Sequence, residues 1–296
     1  MLMLLDRGVS LYRRHFLSFV LIAAAWFVPV AIAVGLGIAL GSRSDTGLLT
    51  LFLLLGALLG FVMLVYLVAV LSRAAWATIE GRTIRAADIL AIGPLRLLTM
   101  SIFTIVYFVL AQLVSSIASL ICICPAYIMG IVLVGGAFAL GETAGAAGGI
   151  VLGLLFGVIY ALALFISGAV YSGLIYGLQP WAQERVGFGV SLQRSIDLMI
   201  YRFWGNIAAW GMAALLLAAA GVVVASTLTL AIWLPLGATL GQDNPVTLAL
   251  TASTALIALV FVLPPLPIWM ALLYQRNYAA REGDTLQTRI SAWQQH

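Results

Sequence analysis

From Leu17 to Leu40 the chain runs without a charged side chain, long enough for about 36 Å of helix at 1.5 Å per residue. That exceeds the roughly 30 Å hydrocarbon core of a bilayer. Comparable uncharged runs occur at Leu48 to Leu71, from Leu97 onward, at Gly148 to Gly177, at Gly205 to Leu234 and at Thr247 to Tyr274. In lipid every backbone N–H and C=O must be paired within the protein, and continuous apolar runs meet that demand as helices. With 64% hydrophobic and 8% charged residues, the chain could not cover a soluble globule, which needs roughly 25% charged. The expected fold is an all-α integral membrane protein of six transmembrane helices, with 1–296 forming one membrane domain.

The first run is too long for a signal peptide, whose apolar region spans roughly 7 to 15 residues, so it reads as a retained span kinked at Pro29. Leu97 to Leu140 is apolar except for Cys122-Ile-Cys-Pro125, and its second part, Ala126 to Leu140, is short for a crossing. The arginines decide the count. If Cys122 to Leu140 folds back without crossing, thirteen of the fourteen arginines share the side of the N-terminus and only Arg43 lies opposite. By the positive-inside rule that side is cytoplasmic, as are both termini. The net charge of +4 then reports orientation and not nucleic-acid binding. All fourteen basic residues are arginine; the guanidinium fork suits phosphate headgroups, and GC-rich codon usage produces the same bias.

Between the spans lie amphipathic stretches. In Trp181 to Trp204, helical spacing gathers Val190, Ile196, Met199, Ile200 and Phe203 on one side, with Ser191, Arg194, Ser195, Asp197 and Arg202 on the other. Weaker versions precede the first span and occupy Thr83 to Leu98. Arg13, Arg14, Arg185, Arg194 and Arg202 are the candidate headgroup or partner contacts, and Trp76, Trp181 and Trp204 the expected interface anchors. Helix packing is expected at Gly56 and Gly60, on the stripe Gly149, Gly153 and Gly157, and at Gly173 and Gly177. Pro235 should end the fifth span. Pro264, Pro265 and Pro267 should kink the sixth near its cytoplasmic end.

The ends of the even spans match one another: Trp76-Ala-Thr-Ile-Glu80-Gly81, Trp181-Ala-Gln-Glu184 with Gly187, and Tyr278-Ala-Ala-Arg-Glu282-Gly283. Leu11-Tyr-Arg-Arg-His-Phe16 and Leu198-Met-Ile-Tyr-Arg-Phe-Trp204 likewise mark the starts of odd spans. These matches divide the chain into three pseudo-repeats, about 1–82, 83–187 and 188–296, each an interfacial helix plus two spans. At these residues, with Ser191-Leu-Gln-Arg194-Ser195, Leu272-Leu-Tyr274 and Arg281-Glu282-Gly283, the chain resembles a known group. It is similar to the six-span membrane domain fused to some bacterial glycerophosphodiester phosphodiesterases, and to related free-standing membrane proteins of unknown function. The resemblance covers nearly the whole chain and implies a bacterial cytoplasmic (inner) membrane. It supplies no catalytic residue, because the fused hydrolase domain has no counterpart in this sequence.

No acid, base, nucleophile and metal set converges in the sequence. Cys122 and Cys124 stand apart from His15 and His296, so no metal site and no cofactor is expected. The uncharged polar residues of the spans suit interhelical hydrogen bonds, and Gln112, Ser116 and Ser119 share a stripe that suits a small polar cavity. The favoured reading is a non-catalytic scaffold or partner subunit, organising lipid, anionic lipid included, or another membrane protein. A transporter of a neutral or lipid-like solute is the alternative, and a lipid-modifying enzyme is the weakest of the three.

Overall fold

A computed structural model of the chain describes residues 2–41, 46–113, 116, 142–183, 187–241 and 244–294. Among them every regular element is a helix, and six helices are long and apolar enough to cross a membrane. The described helices, in chain order, are α1 (Leu2–Arg14), α2 (Phe16–Gly41), α3 (Thr46–Ile79) and α4 (Ala86–Leu90), then α5 (Pro94–Leu113). They are succeeded by α6 (Glu142–Gly177), α7 (Gln179–Gln183), α8 (Phe188–Ile200), α9 (Phe203–Leu240), α10 (Pro245–Val262) and α11 (Pro265–Gln294).

The side-chain contacts set the direction of each helix. Phe103 of α5 lies 4.6 Å from Trp181 between ring centroids, and Tyr107, one turn on, donates to the Val170 carbonyl at 3.0 Å, so α5 and α6 run antiparallel. Trp210 of α9 stacks near Tyr176 at 5.4 Å, and Gly211 lies under the Phe165 ring, a site a Cβ would fill. Tyr12 donates to the Phe261 carbonyl at 2.8 Å, while Ser253 donates to Ala31 at 2.9 Å. Consequently α2, α5 and α9 leave one pole of the bundle, and α3, α6 and α10 return to it. At that pole α1 meets α11: the Trp269 indole donates to the Leu5 carbonyl at 3.0 Å, and its ring covers Gly8 so closely that no Cβ fits. Every arginine whose side chain is described lies on an element at this pole.

The helices flanking 117–141 both reach the opposite pole at their near ends, α5 at its last residues and α6 at its first. The expected fold-back of Cys122 to Leu140 lies outside the described residues.

Among the described residues most of the buried core lies where the returning helices converge, with a smaller seam between α2 and α10 at Ala31, Ala249 and Thr254. Leu67 to Trp76 of α3, Ile175 to Ala182 around α7, and Leu266 to Tyr274 of α11 are almost entirely buried, whereas Leu17, Ile105, Val222 and Val223 on the outgoing helices are exposed. Burying the large ones among them stabilises by roughly 1.5–3 kcal/mol each where the alternative is water.

Several expectations are corrected. The polar stretch from Ser72 is not a loop at its start: α3 continues to Ile79, because Ser72 accepts a hydrogen bond from Gln179 at 3.1 Å and is fully buried. α3 then stops at a left-handed Gly81 with φ 70°; Arg82 N–H bonds the Ala77 carbonyl at 2.8 Å and Gly81 N–H bonds Thr78 at 3.2 Å, a Schellman closure. The surface helix expected over Thr83 to Leu98 shrinks to the five residues of α4, since Pro94, which has no N–H to lose, starts the next span. Pro235 does not end the fifth span and sits inside α9. The sixth span does break near Pro264, between Val262 and Pro265, but the first turns of α11 beyond the break are core, so α10 alone supplies the apolar lipid-facing length. The three Glu-Gly repeats also differ locally: Gly81 closes α3, Gly187 precedes α8 in an extended conformation, and Gly283 lies within α11.

Candidate functional site: the arginine-rich pole

Two features of the pole carry chemistry, a buried amide core and an open basic cleft beside it. In the core, the Trp76 indole donates to Gln179 at 3.0 Å, which explains why Trp76 and Trp181, expected at the interface, are only 5% and 2% exposed. Trp204 alone of the three is exposed, at 79%. Asn277 donates to Asn206 at 2.7 Å and to Tyr176 at 3.0 Å. Asn206 in turn donates to the carbonyls of Leu198 at 3.0 Å and Tyr201 at 2.7 Å. Those carbonyls end α8 and have no partner within the helix, so the amide supplies the hydrogen bonds the helix terminus lacks. Arg202 makes the corner between α8 and α9 in a left-handed conformation, φ 53° and ψ 43°.

α8 divides differently from the sequence reading, which places Ser191 and Ser195 with the arginines and Met199 with the outward apolar residues; Met199 instead packs inward beside Gly177. Ser191, Ser195 and Leu198 are buried, with Ser195 beside Gly177. Val190, Ile196 and Ile200 point outward, Ile200 with 66% of its surface exposed, as do Phe203 and Trp204 just beyond. Arg194 stands 5.9 Å over the Tyr278 ring, and Asp197 pairs with Arg281 at 3.0 Å. Arg13, Arg14 and Arg202 are exposed. Arg185 lies outside the described residues.

The cleft has a volume of about 780 Å³. It opens between the end of α3, the α4 segment, the start of α5, α7 and the start of α8. Among the described residues, Arg73, Arg82, Arg85 and Arg96 line it with one carboxylate, Asp88, and Trp76, Ile89, Leu95, Trp181 and Phe188 supply its apolar walls. Arg73 braces the walls: its Nε donates to the Ala182 carbonyl at 3.0 Å and an Nη to Ala91 at 2.9 Å. One guanidinium thus ties the ends of α4 and α7 to α3. Arg82 pairs with Glu80 at the rim. The Trp181 indole N–H is buried and has no hydrogen-bond partner among the described residues.

The other predicted positions are dispersed. Gly173 faces Tyr107 and Trp210, and Gly177 faces Ser195 and Phe103. Gly60 and Gly157 have no described atom within 4 Å of a Cβ built there, so no described residue packs on them. Gly56, Gly149 and Gly153 are helical, and the packing expected there lies outside the described residues. Gln112 lines a recess of about 110 Å³ with Ser167, Phe108 and Tyr171, room for roughly three or four waters at about 30 Å³ each. Ser116 is exposed, and Ser119 lies outside the described residues.

Sequence reasoning missed the cleft and the amides. Four arginines between Ser72 and Arg96 were a visible signal, but their convergence with Trp181 and Phe188, a hundred residues on, was not. Gly168 against Ala214 and Gly211 against Phe165 are close approaches that lie off the four-residue stripe. Comparison with protein-family models, with curated proteins and with solved structures finds no match for this chain.

Proposed function

We propose that this chain is a non-catalytic multi-pass membrane protein that organises anionic lipid, or a neighbouring membrane protein, through a belt of short helices around its arginine-rich pole. In this reading the pole is cytoplasmic, both termini lie there, the membrane is a bacterial inner membrane, and the chain is a relative of the six-span domains it resembles. The observation that carries it is α8. Its Val190, Ile196 and Ile200 are turned outward beside Phe203 and Trp204, an apolar surface that only lipid or an apolar partner would cover, while Arg194 and Arg202 occupy the same short segment. Such an arrangement suits a helix at headgroup depth, where apolar side chains sink toward the acyl boundary and guanidiniums meet phosphates.

The repeat supports the same reading. Each third of the chain supplies a short helix at the pole, an outgoing span and a returning span, and the returning spans meet through Trp76, Gln179 and Tyr274. The guanidiniums gathered at the pole suit anions, and the amides there close helix ends, while Glu80 and Asp197 pair with arginines. Turnover of a phosphodiester by the purified protein, lost on a single polar substitution, would contradict the non-catalytic assignment.

Replacing Arg194 and Arg202 together with Gln tests the belt. Each juxtamembrane arginine near an anionic surface is worth about 1 kcal/mol, so retention of phosphatidylglycerol by the detergent-purified protein should fall at low salt. If retention is unchanged while the protein inserts correctly, these arginines set topology only and the belt reading fails.

A further inference from the structure

We propose that the arginine cleft is a binding site for a phosphate-bearing group, with the headgroup of an anionic phospholipid as the favoured source. It is a different site from the belt of α8, and it stands or falls without that reading.

The lining chemistry points there first. Among the described lining residues four are arginines and Asp88 is an acid, with Glu80 pairing Arg82 at the rim, and such an excess of positive charge in a recess raises its potential for an anion. Arginine presents a planar fork of donors that pairs phosphate oxygens two at a time, with hydrogen bonds about twice as strong as neutral ones. Arg85, in extended backbone just ahead of α4, and Arg82, paired with Glu80 at the rim, are the exposed members. They can swing onto a ligand at small cost.

Preorganisation is the second argument. Arg73 already holds α4 and α7 in place through their carbonyls, so the cleft keeps its shape before a ligand arrives, which lowers the cost of binding. Its volume of about 780 Å³ lies within the roughly 300–1,000 Å³ of small-molecule sites. Third, the Trp181 ring forms part of the wall, an apolar surface on which the carbons of a headgroup can pack. A lipid is favoured over a soluble anion because Leu95 and Phe188 line the same cleft while 74% and 45% exposed, beside the point where α5 begins its span.

Native mass spectrometry of the full chain, released from phosphatidylcholine nanodiscs with or without phosphatidylglycerol, counts the lipid retained. A parallel arm measures the thermal shift on adding inorganic phosphate in phosphatidylcholine alone. Wild type should retain phosphatidylglycerol over phosphatidylcholine. Arg82→Gln with Arg85→Gln should lower that retention about tenfold, since each arginine near an anionic headgroup contributes severalfold, and the corresponding Lys pair should recover part of it. Protection by inorganic phosphate that disappears in the Gln pair, without selective lipid retention, would keep the phosphate site and reassign its source to a soluble ligand. Equal lipid retention and equal phosphate response in wild type and the Gln pair would overturn the proposal. The belt variant Arg194→Gln/Arg202→Gln, run alongside, separates the failures: loss there together with loss in the cleft variants supports both sites, and loss there alone sinks the cleft.

Discussion

Asn277 on α11 donates to Asn206 on α9 at 2.7 Å, so the chain's last long helix is pinned to the corner where α8 turns into α9. Asn277→Ala would leave the Asn206 oxygen and the Tyr176 hydroxyl without that donor in a buried site, at roughly 1–3 kcal/mol for each unmade bond. The variant should unfold several degrees below wild type by circular dichroism in detergent. Asn277→Asp should be worse, because a carboxylate cannot donate to either oxygen and brings a buried charge.

Gly211 and Gly157 make opposite predictions from the same residue type. Gly211 lies under the Phe165 ring with no space for a Cβ, so Gly211→Leu must push α6 from α9 and should cost roughly 1–3 kcal/mol. Gly157→Ala meets no described atom and gains helix propensity, about 0.5–1 kcal/mol. Thermal unfolding of the two variants side by side checks both signs.

Tyr12 gives a pH dependence. Burial pushes its hydroxyl up from 10.0 to about 12, because the phenolate would lose its water. A pKa raised on folding contributes stability that is complete below pH 10 and is lost as the pH rises toward 12. Docking of α1 should therefore weaken across that window, read as loss of protection from proteolysis at the N-terminus. Tyr12→Phe should flatten the dependence while lowering stability at neutral pH through loss of the bond to Phe261.

Topology is accessible to labelling. In a background of Cys122→Ser and Cys124→Ser, single cysteines at Glu80 and Gln193, both at the arginine-rich pole, should resist an impermeant maleimide added to intact cells. Cysteines at Thr46, Glu142 and Asn244 should react. Labelling at Gln193 from outside would invert the orientation.

The spans are legible in the sequence because lipid demands length and apolarity of each stretch by itself, with no reference to its neighbours. Start and stop signals are legible for the same local reason where one residue decides, as at Gly81 closing α3, or at Asn244, whose side chain accepts from Val246 N–H at 2.9 Å ahead of Pro245. Trp76 defeats the same reasoning. An aromatic at the end of a span reads as an interface anchor, and it takes Gln179 of α7 and Tyr274 of α11 to make it a core residue. Arg73 fails likewise: it looks like part of a polar loop until the carbonyls of Ala91 and Ala182 are seen to surround it. Pro235 shows that a helix in apolar surroundings keeps its path past a missing N–H, since α9 is held on both sides by α6 and α10.

The core described at the arginine-rich pole has a mechanical consequence. In the most apolar part of α9 none of the residues is buried and in α5 17% are, against 67% in the described part of α3. Outgoing helices such as α5 and α9, with few buried side chains among the described residues of those windows, can change tilt while the buried core at the pole stays intact. A bilayer that thickens, thins or is stretched acts on those helices first, since mismatch is met by tilt at modest cost. The arginine-rich pole, braced by Arg73 and the Asn206–Asn277 pair, would hold its shape as the membrane around it deforms.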